Sequence, residues 1–192
     1  MAQAVESKTI LITGATDGLG KKVALDLASQ KARVILHGRS REKGKTVVEE
    51  IRDTSGNPEI SYYNADFSSL DEVRTLAGQI RADQKRLDVM INNAGIGPGP
   101  AGSARRKSRD NHELRFAVNY LATFLLTHRL LPLLRESAPS RIVNVASAGQ
   151  QAIDFDDVML ENRYDGLRAY RQSKLAMILF TFDLAGDLKD TA

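Results

Sequence analysis

The 192-residue chain has no cysteine, which removes a disulfide framework, a thiolate nucleophile and a thiolate metal ligand together. No apolar run approaches the ~20 residues of a membrane span. The opening MAQAVESKTI also lacks the basic-then-apolar layout of a signal peptide. Charge of one sign is scarce: 27 basic residues against 24 acidic ones leave +3. That excess suits an anionic cofactor but is no nucleic-acid signature. His112 and His128 have no partner pattern, and the acids of DFDDV read as surface loop, so no metal site is expected. There is no composition break, repeat or low-complexity stretch. What remains is one globular domain over 1–192, with 42% hydrophobic residues to build its core. The expectation is a cytoplasmic protein with no membrane span and no nucleic-acid partner.

What is present is alternation. KTILIT (8–13), RVILHG (33–38), ISYYNA (60–65), LDVMINN (87–93) and RIVNVAS (141–147) read as short buried strands. Between them lie helical stretches at 18–30, 41–53 and 69–83, the last opened by Ser69 as N-cap. A long apolar helix follows over about 110–134, and another holds LRAYRQSKLAMILF. Strict βα alternation with near-continuous apolar strands predicts a parallel sheet covered on both faces. Right-handed crossovers make it a Rossmann-like, doubly wound α/β fold with strand order 3-2-1-4-5.

The first strand runs into TGATDGLG, Thr13 to Gly20, and then a helix. In such sheets ligands bind beyond the carboxyl ends of the strands, and a helix N-terminus offers free N–H groups to a pyrophosphate. Gly14 permits the tight turn, while Gly18 and Gly20 allow close backbone approach. The second strand ends without the acid that would hold a ribose 2′-hydroxyl. Gly38, Arg39, Ser40 and Arg41 stand there instead. An arginine can bind a 2′-phosphate bidentately, so NADP(H) is expected over NAD(H). His37 reads as a strand-end residue, and the basic SARRKSRD (103–110) as a solvated loop or a contact for an acidic partner.

Tyr170 and Lys174 lie four apart, on one face of the last helix. Packing alone could explain the pair, since a ring packs and a lysine snorkels to water. Chemistry could too, because a cation one turn away favours a phenolate.

Taken together, these motifs make the chain resemble the short-chain dehydrogenase/reductase family over nearly its whole length, in pattern closest to the retinol dehydrogenase and carbonyl reductase branch. TGATDGLG, NNAG (Asn92 to Gly95), Asn119 in AVNYLATF, Ser147 in RIVNVAS and YRQSK stand in family order. The resemblance implies a hydride-transferring oxidoreductase acting on a small carbonyl or alcohol. It implies Asn119, Ser147, Tyr170 and Lys174 as catalytic. Tyr170 would be the acid–base group, Ser147 would bond the substrate oxygen, and Asn119 would hold a water linking Lys174 to solvent. The same resemblance assigns Thr13, Gly14, Thr16, Asp17, Gly18, Leu19 and Gly20 to the cofactor turn. Asp66 and Phe67 go to the adenine, Asn93, Ala94 and Gly95 to the loop after the fourth strand, and Tyr170 and Lys174 to the ribose. Arg39 and Ser40 complete the cofactor set. Ser173 is expected only to pack.

Two further expectations follow. The two apolar helices, about 110–134 and 167–189, have little polar face, which predicts a homodimer or homotetramer through them. The family normally continues past the Tyr/Lys helix with another strand, a Pro-Gly turn and a substrate-covering segment. The domain is therefore expected to be C-terminally truncated, as a fragment or as a natural variant, with a bare sheet edge. That edge supports a second reading, in which a catalytically inactive nucleotide-binding relative docks a protein partner there.

Overall fold

In the computed structural model, which describes residues 5–189, five strands form one parallel sheet. They are β1 (Thr9–Ile12), β2 (Arg33–Gly38), β3 (Ile60–Asn64), β4 (Val89–Asn92) and β5 (Arg141–Asn144), in the order β3-β2-β1-β4-β5. This is the doubly wound α/β arrangement that the alternation predicts. The ends of the expected 1–192 domain, residues 1–4 and 190–192, lie outside the described residues.

Side chains alternate across the sheet, so the central strands β1 and β2, covered on both faces, are largely apolar, while the outer strands carry Ser61 and Asn64 in β3 and Arg141 and Asn144 in β5. Ile10, Ile12, Val34 and Leu36 face one side and are covered by α1 (Gly18–Ser29) and α2 (Arg41–Ser55). Leu11, Ile35 and Met90 face the other, under α3 (Leu70–Asp83) and α5 (Ala122–Glu136). Each such side chain, taken fully out of water, contributes roughly 1.5–3 kcal/mol. Ser40 and Ser69 cap α2 and α3 by accepting the N–H groups of Lys43 and Glu72. Gly56, in the left-handed region at φ 62°, closes α2 two residues later than the sequence suggests.

The long helix departs most from expectation. It begins at Leu114, not near Asp110, because the Asp110 carboxylate is used elsewhere. It accepts the Leu70 N–H at 2.8 Å and so supports the start of α3. Buried Glu113 caps the long helix by accepting from Phe116 at 2.7 Å. The helix runs as α4 (Leu114–Phe116), a π turn (Ala117–Leu121) and α5.

Against the expectation of no candidate span, Leu114–Glu136 is long and apolar enough to cross a membrane by length and composition. Arg115 and Arg129 interrupt the run, which hides it from a count of uninterrupted apolar residues. Over half of its most apolar stretch is buried, and Leu126, Leu130 and Leu134 pack in the core against α3 and the sheet.

The last helix, α6 (Gly166–Asp187), starts at Asp165, which accepts the Arg168 N–H at 2.6 Å. The outer faces of α5 and α6, where pairing with a second copy is expected, expose Phe124, Leu179 and Phe182. Among the described residues no strand pairs with the outer side of β5. A groove of about 200 Å³ lined by Leu131, Ile142 and Leu184 lies beside it.

Candidate active site

The segments that follow β1, β2, β3 and β4 line one cavity of about 900 Å³ at the carboxyl ends of those strands. Its floor is the β1–α1 turn. Gly14 has φ 65° and Gly18 has φ 51°, values that favour glycine. A Cβ on Gly14 would stand 2.8 Å from the Ala94 Cα, and one on Gly20 would stand 2.5 Å from the Asn93 amide nitrogen. Nothing lies within 4 Å of the corresponding point on Gly18. The turn is therefore packed tight below and open at Gly18, at the start of α1, where the Asp17 carboxylate accepts the Gly18 N–H at 2.7 Å.

Several predicted residues line this cavity: Gly14, Thr16 and Asp17 from the turn, Arg39 and Ser40 after β2, Asp66 and Phe67 after β3, and Ala94 and Gly95 after β4. Thr13, Gly18, Leu19, Gly20 and Asn93 do not line it. Thr13 and Asn93 work beneath it. The Thr13 hydroxyl accepts the N–H groups of Asn93 and Ala94, each at 3.0 Å. The Asn93 amide donates back to the carbonyls of Thr13 and Gly14, also at 3.0 Å. These bonds fix the β4 loop onto the glycine turn. Leu19 is 62% exposed on the first turn of α1.

His37 closes the floor. Its Nδ1 accepts the Gly14 N–H at 3.4 Å, its Nε2 lies 3.1 Å from the Ala65 carbonyl, and its ring stacks on Phe67 with centroids 4.3 Å apart. Only the neutral ring can accept at one nitrogen while donating at the other. Burial lowers its pKa to about 4. A lowered value in the fold means that the unfolded chain takes up the proton first, as pH falls below its ordinary value of 6.5. Stability is therefore complete at neutral pH and is lost as pH falls from 6.5 toward 4. The expected loss from this one group is about 2–3 kcal/mol between about pH 7 and about pH 4.5. Denaturant unfolding at both pH values should show it, and His37→Gln should remove it. An equal pH slope in both proteins would mean that other groups carry the dependence.

The second cluster lies where β4 and β5 end. Lys174 is buried and donates from Nζ to the Val145 carbonyl at 2.9 Å, with its nitrogen 5.9 Å from the Tyr170 ring centroid. Burial pushes its ammonium below the usual lysine range. A Cβ on Gly149 would lie 3.5 Å from the Ser147 hydroxyl and 3.8 Å from the Tyr170 ring, so these two side chains flank one small space. Ser147 Oγ meanwhile accepts the Gly149 N–H at 3.1 Å.

Asn119, fully buried in the π turn, accepts from Ile96 N–H at 2.8 Å and donates to the Ile96 carbonyl at 3.1 Å and to Ser173 Oγ at 2.9 Å. Ser173 in turn donates to the Tyr170 carbonyl at 2.7 Å. Ser173 is thus the joint between the π turn and α6, a role that sequence reading reduced to packing. Gly95 lies beside both Asn119 and Lys174, since its Cβ would fall 3.2 Å from one and 3.7 Å from the other. This edge joins the Tyr/Lys cluster to the cavity.

Three contributors escape sequence reasoning. Lys43, one turn into α2, lines the cavity beside Arg39. The Tyr62 hydroxyl donates to the Gly38 and Ser40 carbonyls, each 2.8 Å away, and so holds the β2–α2 turn from below. Its ring fits only because residue 44 is glycine; a Cβ there would overlap the ring. The spacing of Lys43 after Arg39 was the one readable signal.

A glycine turn on the floor of the cavity, with a Ser–Tyr–Lys cluster beside it at the ends of β4 and β5, makes up the site. A family model for short chain dehydrogenases matches residues 8–192. The chain belongs to that family. It is 44% identical over 184 residues to human retinol dehydrogenase 11, covering 95% of this chain and 57% of that one. It is 41% identical over 191 residues to the bovine dehydrogenase/reductase SDR family member 13, covering 97% and 49%. It therefore spans about half the length of these curated relatives.

Among solved structures, a putative uncharacterized protein from Mycobacterium paratuberculosis superposes with a TM-score of 0.82 at 31% identity, over 97% of this chain and 64% of that one. A putative short chain dehydrogenase from Escherichia coli CFT073 complexed with NADPH gives 0.78 at 28%, over 98% and 74%.

Proposed function

We propose that this chain is the cofactor-binding and proton-transferring part of an NADP(H)-dependent oxidoreductase that interconverts a small carbonyl compound and its alcohol. The observation that carries the reading is the convergence of Ser147, Tyr170 and Lys174 at the ends of β4 and β5, beside the glycine-floored cavity. The cavity fits a dinucleotide by its size, by the Gly14–Asp17 turn on its floor and by its cations. When bound there, the nicotinamide supplies or accepts the hydride.

The chain's own residues do the rest. The Ser147 hydroxyl donates to the substrate oxygen and stabilises its developing charge. Tyr170 gives that oxygen its proton, or takes it in the reverse direction. Lys174, held by the Val145 carbonyl and with its proton loosened by burial, supports the charge on Tyr170 and passes the proton on. Asn119 fixes the Gly95–Gly97 stretch and Ser173, and so the spacing between that lysine and the path to solvent.

The preference for NADP(H) rests on Arg39 and Lys43. Both line the cavity, and neither has a carboxylate partner among the described residues. Arg39→Asp should weaken NADPH about 10- to 100-fold, the worth of one or two charge-assisted hydrogen bonds, and should relatively favour NADH. Titration of both cofactors into both proteins tests it; an unchanged preference would refute the assignment.

The second reading, an inactive nucleotide-binding relative, is supported by the open β5 edge. Turnover of any carbonyl by the intact protein, abolished in Tyr170→Phe, would exclude it.

A further inference from the structure

The loop before the long helix reads from sequence as a solvated basic stretch. The structure places it in the lining of the cavity that Arg39 and Lys43 also line. Its cations divide into two kinds. Arg105 is committed to the Met159 carbonyl at 2.9 Å and to Glu161 at 3.6 Å. Arg109 is committed to Glu72 at 2.5 Å and Asp66 at 3.6 Å. Arg106 and Lys107, between them, line the cavity and have no carboxylate partner among the described residues.

Exposed cations are usually just hydrated, but these two sit on a fixed frame. The Leu114 N–H bonds the Arg106 carbonyl at 2.9 Å, and Lys107 bridges to Glu113 in an antiparallel pair. The Ser108 N–H reaches the His112 carbonyl at 2.9 Å, and the Arg109 N–H reaches Ser68 at 2.7 Å, next to the Asp66–Phe67 wall. The backbone thus holds two cations without carboxylate partners among the described residues in the lining of the cavity, to which Arg39 and Lys43 add two more. The acids that line the same cavity are Asp17 and Asp66, and Asp66 is already engaged by Arg109. Four unpaired cations converging on one concavity attract a multiply charged anion much more strongly than any of them would alone.

We propose that Arg106 and Lys107 are a second phosphate-binding arm, which holds the 2′-phosphate of the adenosine together with Arg39. The inference rests on the NADP(H) reading above and extends it. Discrimination between the two cofactors then comes from two loops far apart in sequence, not from the β2–α2 turn alone.

The test uses the intact protein and its Arg106→Ala/Lys107→Ala double variant. Both side chains are exposed, so the fold should survive, and a thermal melt checks that it does. Calorimetric titration measures NADPH, NADH and adenosine 2′,5′-bisphosphate at several salt concentrations. The expected result is a loss of about 10-fold or more for NADPH and for the bisphosphate, with NADH changed less than about twofold. The salt dependence of NADPH binding should flatten as well. Equal weakening of NADPH and NADH would overturn the assignment to the 2′-phosphate. Unchanged affinities would overturn it too and leave the loop as a surface for an acidic protein partner. Arg39→Asp, run alongside, separates the two failures. If it weakens NADPH and the double variant does not, only the second arm is wrong. If neither changes anything, the cofactor reading itself fails.

Discussion

Tyr170→Phe is expected to lower turnover by about 10²–10⁴ while leaving the fold and NADPH affinity near those of the parent protein. The substitution removes one oxygen. The Tyr170 backbone carbonyl, which receives the Ser173 hydroxyl, stays in place, so the joint between α6 and the π turn is kept. The ring still borders the space next to Ser147 and Gly149. What disappears is the phenol hydroxyl that α6 carries on the ring beside that serine. Ser147 can polarise a substrate oxygen but has no base behind it to replenish a proton. Single-turnover reduction of a carbonyl panel by the intact protein, followed by loss of NADPH absorbance, measures the change. A variant that turns over at the parent rate would return the tyrosine–lysine pair to ordinary core packing.

Lys174→Met should be nearly as damaging, with a loss of at least about 100-fold in turnover, and should weaken cofactor binding as well. Methionine keeps the buried stem and removes the charge. The Val145 carbonyl then loses the donor it has at 2.9 Å, an unpaired polar group worth about 1–3 kcal/mol at the mouth of β5. The cation beside the Tyr170 ring goes with it. Lys174→Arg tests geometry apart from charge, because a planar guanidinium cannot take the place of a compact ammonium wedged beside Gly95 and Asn119. Steady-state kinetics of the two variants should show kcat falling in both and the KM for NADPH rising in both. Retention of turnover within about threefold in Lys174→Met would mean that the lysine only fills space.

The motifs that could be read in the sequence depend on local chemistry. TGATDGLG, NNAG and YRQSK each carry their meaning within eight residues, and the central strands are legible because both their faces are covered. The errors arise where a residue's partner is distant. Asp110 looks like the start of the long helix until its carboxylate is seen on Leu70, forty residues earlier. His37 is a strand-end residue, as read, but the sequence does not show that the carbonyl of Ala65 and the N–H of Gly14 meet its two nitrogens. Thr13 and Asn93 belong to recognisable cofactor motifs, yet their side chains hold each other's loops. Tyr62 gives no sign in ISYYN that its hydroxyl holds up the turn bearing Arg39. Arg106 and Lys107 read as a charge run because only the fold shows which neighbours have carboxylates.

The widened turn at Ala117–Leu121 bears on how this segment can change length over descent. Each α-helical residue advances the face by about 100°, and a π turn is one residue more than the α-helix needs. Here that surplus lets Asn119 address the 95–97 loop and Ser173 while Leu126, Leu130 and Leu134 keep their places in the core. Losing a single residue from the turn would swing one half of the helix by roughly a quarter of a revolution. Either the asparagine or the leucines would then be misdirected. Insertions and deletions should therefore accumulate in the glycine- and arginine-bearing loop upstream, while the distance from Asn119 to Leu126 stays constant among descendants that keep this chemistry.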